Sequence, residues 1–452
     1  MLPNAQKTSI NNILGNLSGR GTRMDGLDEW IKVKREELAV LPENHTDTAM
    51  EMNILANALQ IRFERTGSIE DLDESIKLEG KAIELTSNDS PEMPIYHSGL
   101  GTGLQWRFDR TGCLEDLNKS IEATWTAIDS TPEDDPNIAA YFDILGTALH
   151  IRSRWTGSKQ DLDRSIEMLR KAIVDMDDDD PNMAVFANNL GIALHTMFEQ
   201  AGSIGNLNES IELRQKAVTL TADDHSMLAT CASNLGNGLQ ARFEREGSMQ
   251  DLRESIIMRK LAVELTPKEH RNMATFANNF GNGLQRRFEV EGSIQDLDYS
   301  IKMKRMAVEQ TLWGDPDLAM HANNLAIGLH WRFIALGKGV GSLEDLTEAI
   351  EHWRNAIAWT HPDDPNLAAY ANNLGTGLQA QFEQTARLRD LNEAIDAGRK
   401  AVAITPKGHP SLLIYTRNLA RALDVRITGG QSQADLHEIC TDQLENHRAN
   451  TR

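Results

Sequence analysis

Apolar and polar positions along the chain recur at helical rather than strand spacing, and the pattern is copied from segment to segment. In 229–268, Leu235, Leu239 and Phe243 fall at i, i+4 and i+8, with the small residues Ala232 and Gly236 beside them. That is one apolar helical face with a gap where a second backbone can approach closely. Glu246-Gly247-Ser248 predicts a break, because glycine accepts the left-handed geometry of a helix end and serine caps the next start. Leu252, Ile256, Ala262 and Val263 mark the inner face of a second helix, which Pro267 stops. Two such helices cannot bury their faces alone and need copies on both sides.

The copies are present. The leucine opening the second helix recurs as Leu27, Leu72, Leu117, Leu162, Leu207, Leu252, Leu297, Leu346, Leu391 and Leu436, every step being 45 residues except one of 49. The expectation is one continuous all-α array of about ten helix-turn-helix repeats, since each repeat contacts only its neighbours and no single core has to grow. Residues 1–45 read as a short N-terminal capping repeat, with Ile13-Leu14-Gly15 in a clipped first helix. Residues 46–406 read as eight tandem repeats of 45–49 residues. Residues 407–452 read as a C-terminal capping repeat and tail, its polar second helix running around Leu436 to Leu444. The odd step comes from IALGKGVGSLEDL, in which Gly337, Gly339 and Gly341 interleave. Lacking Gly-Lys-Ser/Thr and a preceding strand, it reads as an enlarged turn rather than a phosphate loop.

Charge narrows the partners. The net charge is −21, densest in Asp175-Met176-Asp177-Asp178-Asp179-Asp180, and such a field opposes nucleic-acid and anionic-membrane binding. Cys113, Cys231 and Cys440 share no disulfide or metal spacing, no helix carries a paired-histidine metal motif, and the N-terminus lacks signal-peptide character. No cofactor, no metal and a cytoplasmic location are expected.

The glycine after leucine in the first helix (Gly101, Gly146, Gly191, Gly236, Gly375, with Phe280-Gly281 a near-copy), the small residue early in the second (Ser75 through Ser300, then Ala349 and Ala394) and the alanine seven residues later (Ala82 through Ala401) resemble the tetratricopeptide repeat. That resemblance implies a right-handed superhelical solenoid whose first helices line a concave groove. The 45-residue unit, with its ANNLG, RFERTGS and RKAVELTP stretches, is similar to long fungal-type repeats found with CHAT protease domains. No CHAT domain is expected here, and no protease activity is carried over.

The first helices carry the candidate chemistry. Asn189, Asn234, Asn279, Asn324 and Asn373 precede the Leu-Gly position, with Asn188, Asn278, Asn323 and Asn372 before them. Asn237 and Asn282, then Gln240 and Gln285, follow on the same stripe. Amides both donate and accept, so such a ladder can hold an extended peptide backbone. Similar asparagine ladders in kinesin light chain and O-GlcNAc transferase hold peptides. The competing reading is that the asparagines bond the adjacent repeat's backbone and keep the stack in register. Arg417 and Arg421 stand where siblings carry Asn or Thr, suited to clamping a carboxylate.

The first functional reading is a non-enzymatic scaffold holding a peptide or protein segment. The alternative is a small-molecule-binding or acid/base enzyme using Asp143, His150 and His195, which share one face. Self-association of terminal repeats is a third. The recurring arginines before the turn and aspartates after it (Arg62 and Asp71, for example) read as inter-helix ion pairs.

Overall fold

The computed structural model describes residues 23–42, 45, 47–177, 179–222, 224–337 and 340–428. Among these every regular element is a helix: α1 Arg23–Val40, α2 Thr48–Thr66, α3 Ile69–Leu85, α4 Met93–Thr111, α5 Leu114–Asp129, α6 Ile138–Thr156, α7 Lys159–Ile173, α8 Met183–Ala201 and α9 Ile204–Leu220. Then come α10 His225–Glu246, α11 Met249–Leu265, α12 Met273–Glu291, α13 Ile294–Gln310, α14 Leu318–Leu336, α15 Val340–Trp359, α16 Leu367–Thr385, α17 Leu388–Ile404 and α18 Leu412–Thr428. The all-α helical-hairpin array is therefore observed. The first helix of the N-terminal capping repeat and the second helix of the C-terminal one lie outside the described residues. The chain forms two compact units, 1–224 and 225–452.

Local chemistry sets the hairpin breaks. The first helix of most pairs ends on a left-handed glycine: Gly67 at φ 73°, its N–H donating to Phe63 O at 2.8 Å, and equivalently Gly112, Gly157, Gly202, Gly247 and Gly292. Where the sequence supplies Ala386 instead, the backbone still takes φ 52°, a conformation that costs a non-glycine residue energy. Ser158, Ser248 and Ser293 accept from the N–H of Asp161, Asp251 and Asp296, capping α7, α11 and α13. Between hairpins, Asp135, Asp180 and Asp364 each accept from the N–H two residues on at 2.7 Å. His225 occupies that register and is itself the first residue of α10, which runs 22 residues where the other complete pairs open with helices of 19. The four-residue insertion lengthens α15 to 20 residues against 17 in α13. Gly337 takes φ 71° at its start, and Gly339 lies outside the described residues.

Packing within a pair turns on the glycine of the first helix. Ser120, Ser165, Ser210, Ser255 and Ser300 donate through Oγ to the carbonyls of Gly101, Gly146, Gly191, Gly236 and Gly281 at 2.6–2.7 Å. Helices this close leave no room for a side chain. A Cβ on Gly236 would lie 2.7 Å from Arg259 Cγ and 3.1 Å from Ser255 O. The leucines opening the second helices, Leu72 to Leu391, are buried between pairs.

A bidentate clasp closes six hairpins at the turn. Arg62 donates through Nε and Nη2 to both oxygens of Asp71 at 2.8 and 2.6 Å. The pairs Arg107–Asp116, Arg152–Asp161, Arg242–Asp251, Arg287–Asp296 and Arg332–Asp345 repeat it. Nη1 of Arg62, Arg107 and Arg332 reaches back to Asp28, Asp73 and Asp298 of the preceding repeat at 2.9–3.0 Å. The recurring ion pairs read from the sequence are thus present and also join repeats.

Replacing Gly236 by alanine should destabilise the protein by about 1–2 kcal/mol, because overpacking outweighs the gain in helix propensity. Gly80→Ala, in α3 with nothing within 4 Å of the added Cβ, should instead stabilise by up to about 1 kcal/mol. Urea midpoints of the two variants check the contrast.

Candidate functional site

Six asparagines of unit 225–452 form one hydrogen-bonded file. Asn418 donates to Asn372 Oδ1 at 2.9 Å and Asn372 to Asn373 at 3.5 Å. Asn373 then donates to Asn323 at 3.0 Å, Asn323 to Asn324 at 3.3 Å, and Asn324 to Asn278 at 3.0 Å. Separately, Asn279 donates to Ser233 Oγ at 3.4 Å. The asparagines of the file, and Asn279, therefore bridge repeats through side-chain to side-chain bonds. Each file bond uses one N–H and one lone pair of an amide that has two of each. Asn279, Asn324 and Asn373 are half-buried, as are Asn237, Asn282, Gln240 and Gln285 one and two turns on. The face formed by α10, α12, α14 and α16 thus presents a lane of amides already oriented by their neighbours.

Behind that lane lies a feature the sequence reading passed over. The second-helix residue facing the small position after the leucine (glycine, or Ala56 and Ala326) occupies one register of the repeat: Glu79, Thr124, Leu169, Arg214, Arg259, Lys304, Trp353 and Gly398. In an array of near-copies this position varies widely, and is basic in three successive repeats at Arg214, Arg259 and Lys304. Arg259 donates to Gln240 Oε1 and, at 2.9 Å, to Asn237 Oδ1. Lys304 donates to Gln285 Oε1. The amide nitrogens of Gln240 and Gln285 pass the polarity on to Glu244 and Glu289 at 2.9 Å. Burial lowers the Arg259 pKa to about 10 and that of Lys304 to about 7. Within unit 1–224 the same relay runs from Arg214 Nη1 to His195 Nδ1 at 3.4 Å, with His195 Nε2 3.5 Å from Glu199. Glu79, fully buried, accepts from Asn53 at 2.8 Å, and desolvation holds its carboxyl well above the usual range. Trp353 fills the register beside His330, ring centroids 5.5 Å apart.

Asp143, His150 and His195 do not assemble into a catalytic constellation, since no hydrogen bond joins any two of them. Asp143 and His150 stand two turns apart on α6, about 10 Å along the axis. Asp143 accepts from Asn189 Nδ2 at 3.0 and 3.1 Å, occupying the register that holds Asn278 and Asn323 elsewhere. Burial raises its pKa to about 6, partly offset by Asn189. His150 shares a hydrogen bond with Thr196 at 2.9 Å, and burial lowers its pKa to about 4, leaving it neutral at physiological pH. His195 serves the Arg214 relay.

The weaker candidates resolve into packing. Trp106 stacks on Phe63 and Trp331 meets Phe288 edge-on, each ring covering the preceding repeat. Arg421 pairs with Glu383 at 3.4 Å on an exposed surface, and Arg417 is exposed beside it. Among the described residues no group of histidine, cysteine or carboxylate side chains could hold a metal ion. No described helix is long and apolar enough to cross a membrane.

The described residues form an all-α helical-repeat array, one hairpin of which matches the tetratricopeptide repeat. The tetratricopeptide repeat profile matches residues 228–271, the hairpin α10–α11. No curated protein matches the chain. The structure of human IFIT1 with PPP-AAAA is similar at TM-score 0.52 and 14% identity, over 93% of this chain and 85% of that one. A putative kinesin light chain from Podosopora anserina with nearly identical TPR-like repeats has TM-score 0.34 and 16% identity, over 49% of this chain and 97% of that one. BtubC from P. vanneervenii has TM-score 0.39 and 15% identity, over 53% and 91%. At these identities the likeness is one of fold.

Folded Asp143 holds its proton from the model-compound value of 3.8 up to about 6, where the unfolded chain has lost it. This contributes stability at low pH that is lost as pH rises through about 6. Asp143→Asn restores the amide found in the sibling repeats. It should therefore stabilise the protein by about 1–2 kcal/mol at pH 7.5, with the gain shrinking towards pH 4.5. A difference in urea midpoint that stays constant with pH would sink this assignment.

Proposed function

We propose that the face of α10, α12, α14 and α16 binds an extended peptide or protein segment, the amide lane hydrogen-bonding its backbone. One observation carries this reading: the asparagine file from Asn418 to Asn278 spans successive repeats while each amide keeps hydrogen-bonding capacity beyond the file. A peptide backbone presents one donor and one acceptor per residue, and a repeated, pre-oriented amide row is complementary to that. Gln379 adds a buried Nε2 with no partner, and such a group is satisfied by a ligand acceptor. The dispersal of Asp143, His150 and His195 among separate hydrogen bonds favours binding over acid/base chemistry. Human IFIT1 is solved with PPP-AAAA, but an evenly spaced row of neutral amides supports a peptide backbone here instead.

Selection of displayed 12-residue peptides on the full chain tests this. Selected peptides should bind with one-to-one stoichiometry, and Asn282→Ala with Gln379→Ala should weaken them about 5- to 30-fold, as expected for one or two neutral hydrogen bonds. Failure to select any peptide, or undiminished binding by the variant, would overturn the proposal.

A further inference from the structure

The cations behind the amide lane are not required by the fold. At their register Leu169 and Trp353 are each 1% exposed and pack the same space with apolar atoms. A buried cation is costlier than an apolar side chain of similar volume unless something compensates it. Here the compensation is partial. Arg259 and Lys304 are 5% and 1% exposed, yet their hydrogen bonds go only to amide oxygens. Nε of Arg259 has no partner. Lys304 has three N–H donors and uses one. The carboxylates of Glu244 and Glu289 are held one step further out by the glutamine amides.

Glycines bring these side chains through the layer. Gly236 and Gly281 clear the stems, where an added Cβ would lie 2.7 Å from Arg259 Cγ and 2.8 Å from Lys304 Cγ. In the next repeat Gly283 lies against the head of Arg259, its ideal Cβ position 3.0 Å from Nη1, and Gly328 lies against Lys304, 3.8 Å from Cδ. Each cation is thereby threaded between consecutive first helices towards Asn237, Gln240 and Gln285, residues of the amide lane.

Resting on the peptide-binding reading above, we propose that Arg259 and Lys304 are two oxyanion subsites in the floor of the lane, each receiving one side-chain carboxylate of the bound segment. One isolated cation per repeat matches one monovalent carboxylate, whereas a phosphate dianion calls for several converging cations. Screening limits the protein's overall negative field to about 8 Å at physiological salt, so contact with a desolvated cation dominates locally. Neighbouring first helices lie about 8–10 Å apart. A polyproline-II-like chain, rising about 3.1 Å per residue with three residues per turn, presents residues i and i+3 on one face about 9 Å apart. The preferred segment therefore carries Asp or Glu at positions three apart.

The test uses full-length wild type and Arg259→Leu/Lys304→Leu, substitutions that adopt the residue the array already uses at 169 and so keep the fold. Peptides selected on wild type should be enriched in acidic residues at i and i+3. Their affinity should fall at least 10-fold on the variant while its thermal midpoint holds or rises. In parallel, glutarate should raise the thermal midpoint of wild type above that in chloride at equal ionic strength, and leave the variant unmoved. Peptides selected without acidic preference, or bound equally by the variant, overturn the subsites while leaving the peptide reading intact. If no peptide is selected but the glutarate effect persists and depends on the two cations, the oxyanion subsites stand and the peptide reading falls. A single-stranded oligoribonucleotide that binds with loss on the variant overturns the carboxylate assignment.

Discussion

Everything in this protein follows from how closely the two helices of a pair approach. The serine hydroxyl of the second helix reaches the glycine carbonyl of the first at 2.6–2.7 Å in five successive pairs. At that separation one helix cannot carry a side chain, and the side chain four residues beyond the serine must lie across the bare glycine. Its stem is fixed by the backbone, so whatever head group it carries is delivered to one place relative to the first helix. The repeat thus behaves as a frame with a single interchangeable part. Thr124, Leu169, Arg214, Arg259 and Lys304 are the parts fitted in those five pairs.

The amide file answers a different demand. A half-buried asparagine must find partners, and in a stack of identical units the nearest partner is the same residue in the next unit. The bonds run between positions 46 residues apart, or 50 across the insertion, so they connect the second asparagine of one repeat to the first of the preceding one. A shift of one repeat past another would break every such bond at once. Register between repeats is consequently specified by polar contacts, while the leucine layers supply the bulk of the burial and little directional information.

Much of this was legible in the sequence, because repetition averages out local ambiguity. Ten copies of one leucine, with a glycine and a serine each repeated six times in step with it, left no alternative to paired helices, and the Arg–Asp clasp could be read from its recurrence on either side of the turn. The asparagine stripe was equally visible, but its bonding partners were not, since nothing in a one-dimensional pattern distinguishes an amide facing a ligand from one facing its own copy. The cation register was missed for the opposite reason. Attention to what recurs hides a column whose meaning lies in its failure to recur, and Arg259 or Lys304, read singly, looks like an ordinary solvated helix residue. Superimposing the repeats and asking which buried position varies would have found it. Asp143, His150 and His195 were grouped because they share a helical face, but each bonds a different partner, since a shared face across two turns does not by itself bring side chains together.

The clasp at the hairpin turn has two gaps. In α8–α9 the arginine and aspartate are replaced by Met197 and Asn206, and in α16–α17 the arginine is replaced by Gln381. Among the described residues these are the last hairpins of the two compact units with both helices present. In a structure held together only between nearest neighbours, unravelling advances one hairpin at a time and halts where the next link is strong. Each unit accordingly carries a built-in parting line near its C-terminal end, and a chain pulled or heated from that side would shed a defined piece before the clasped hairpins yield.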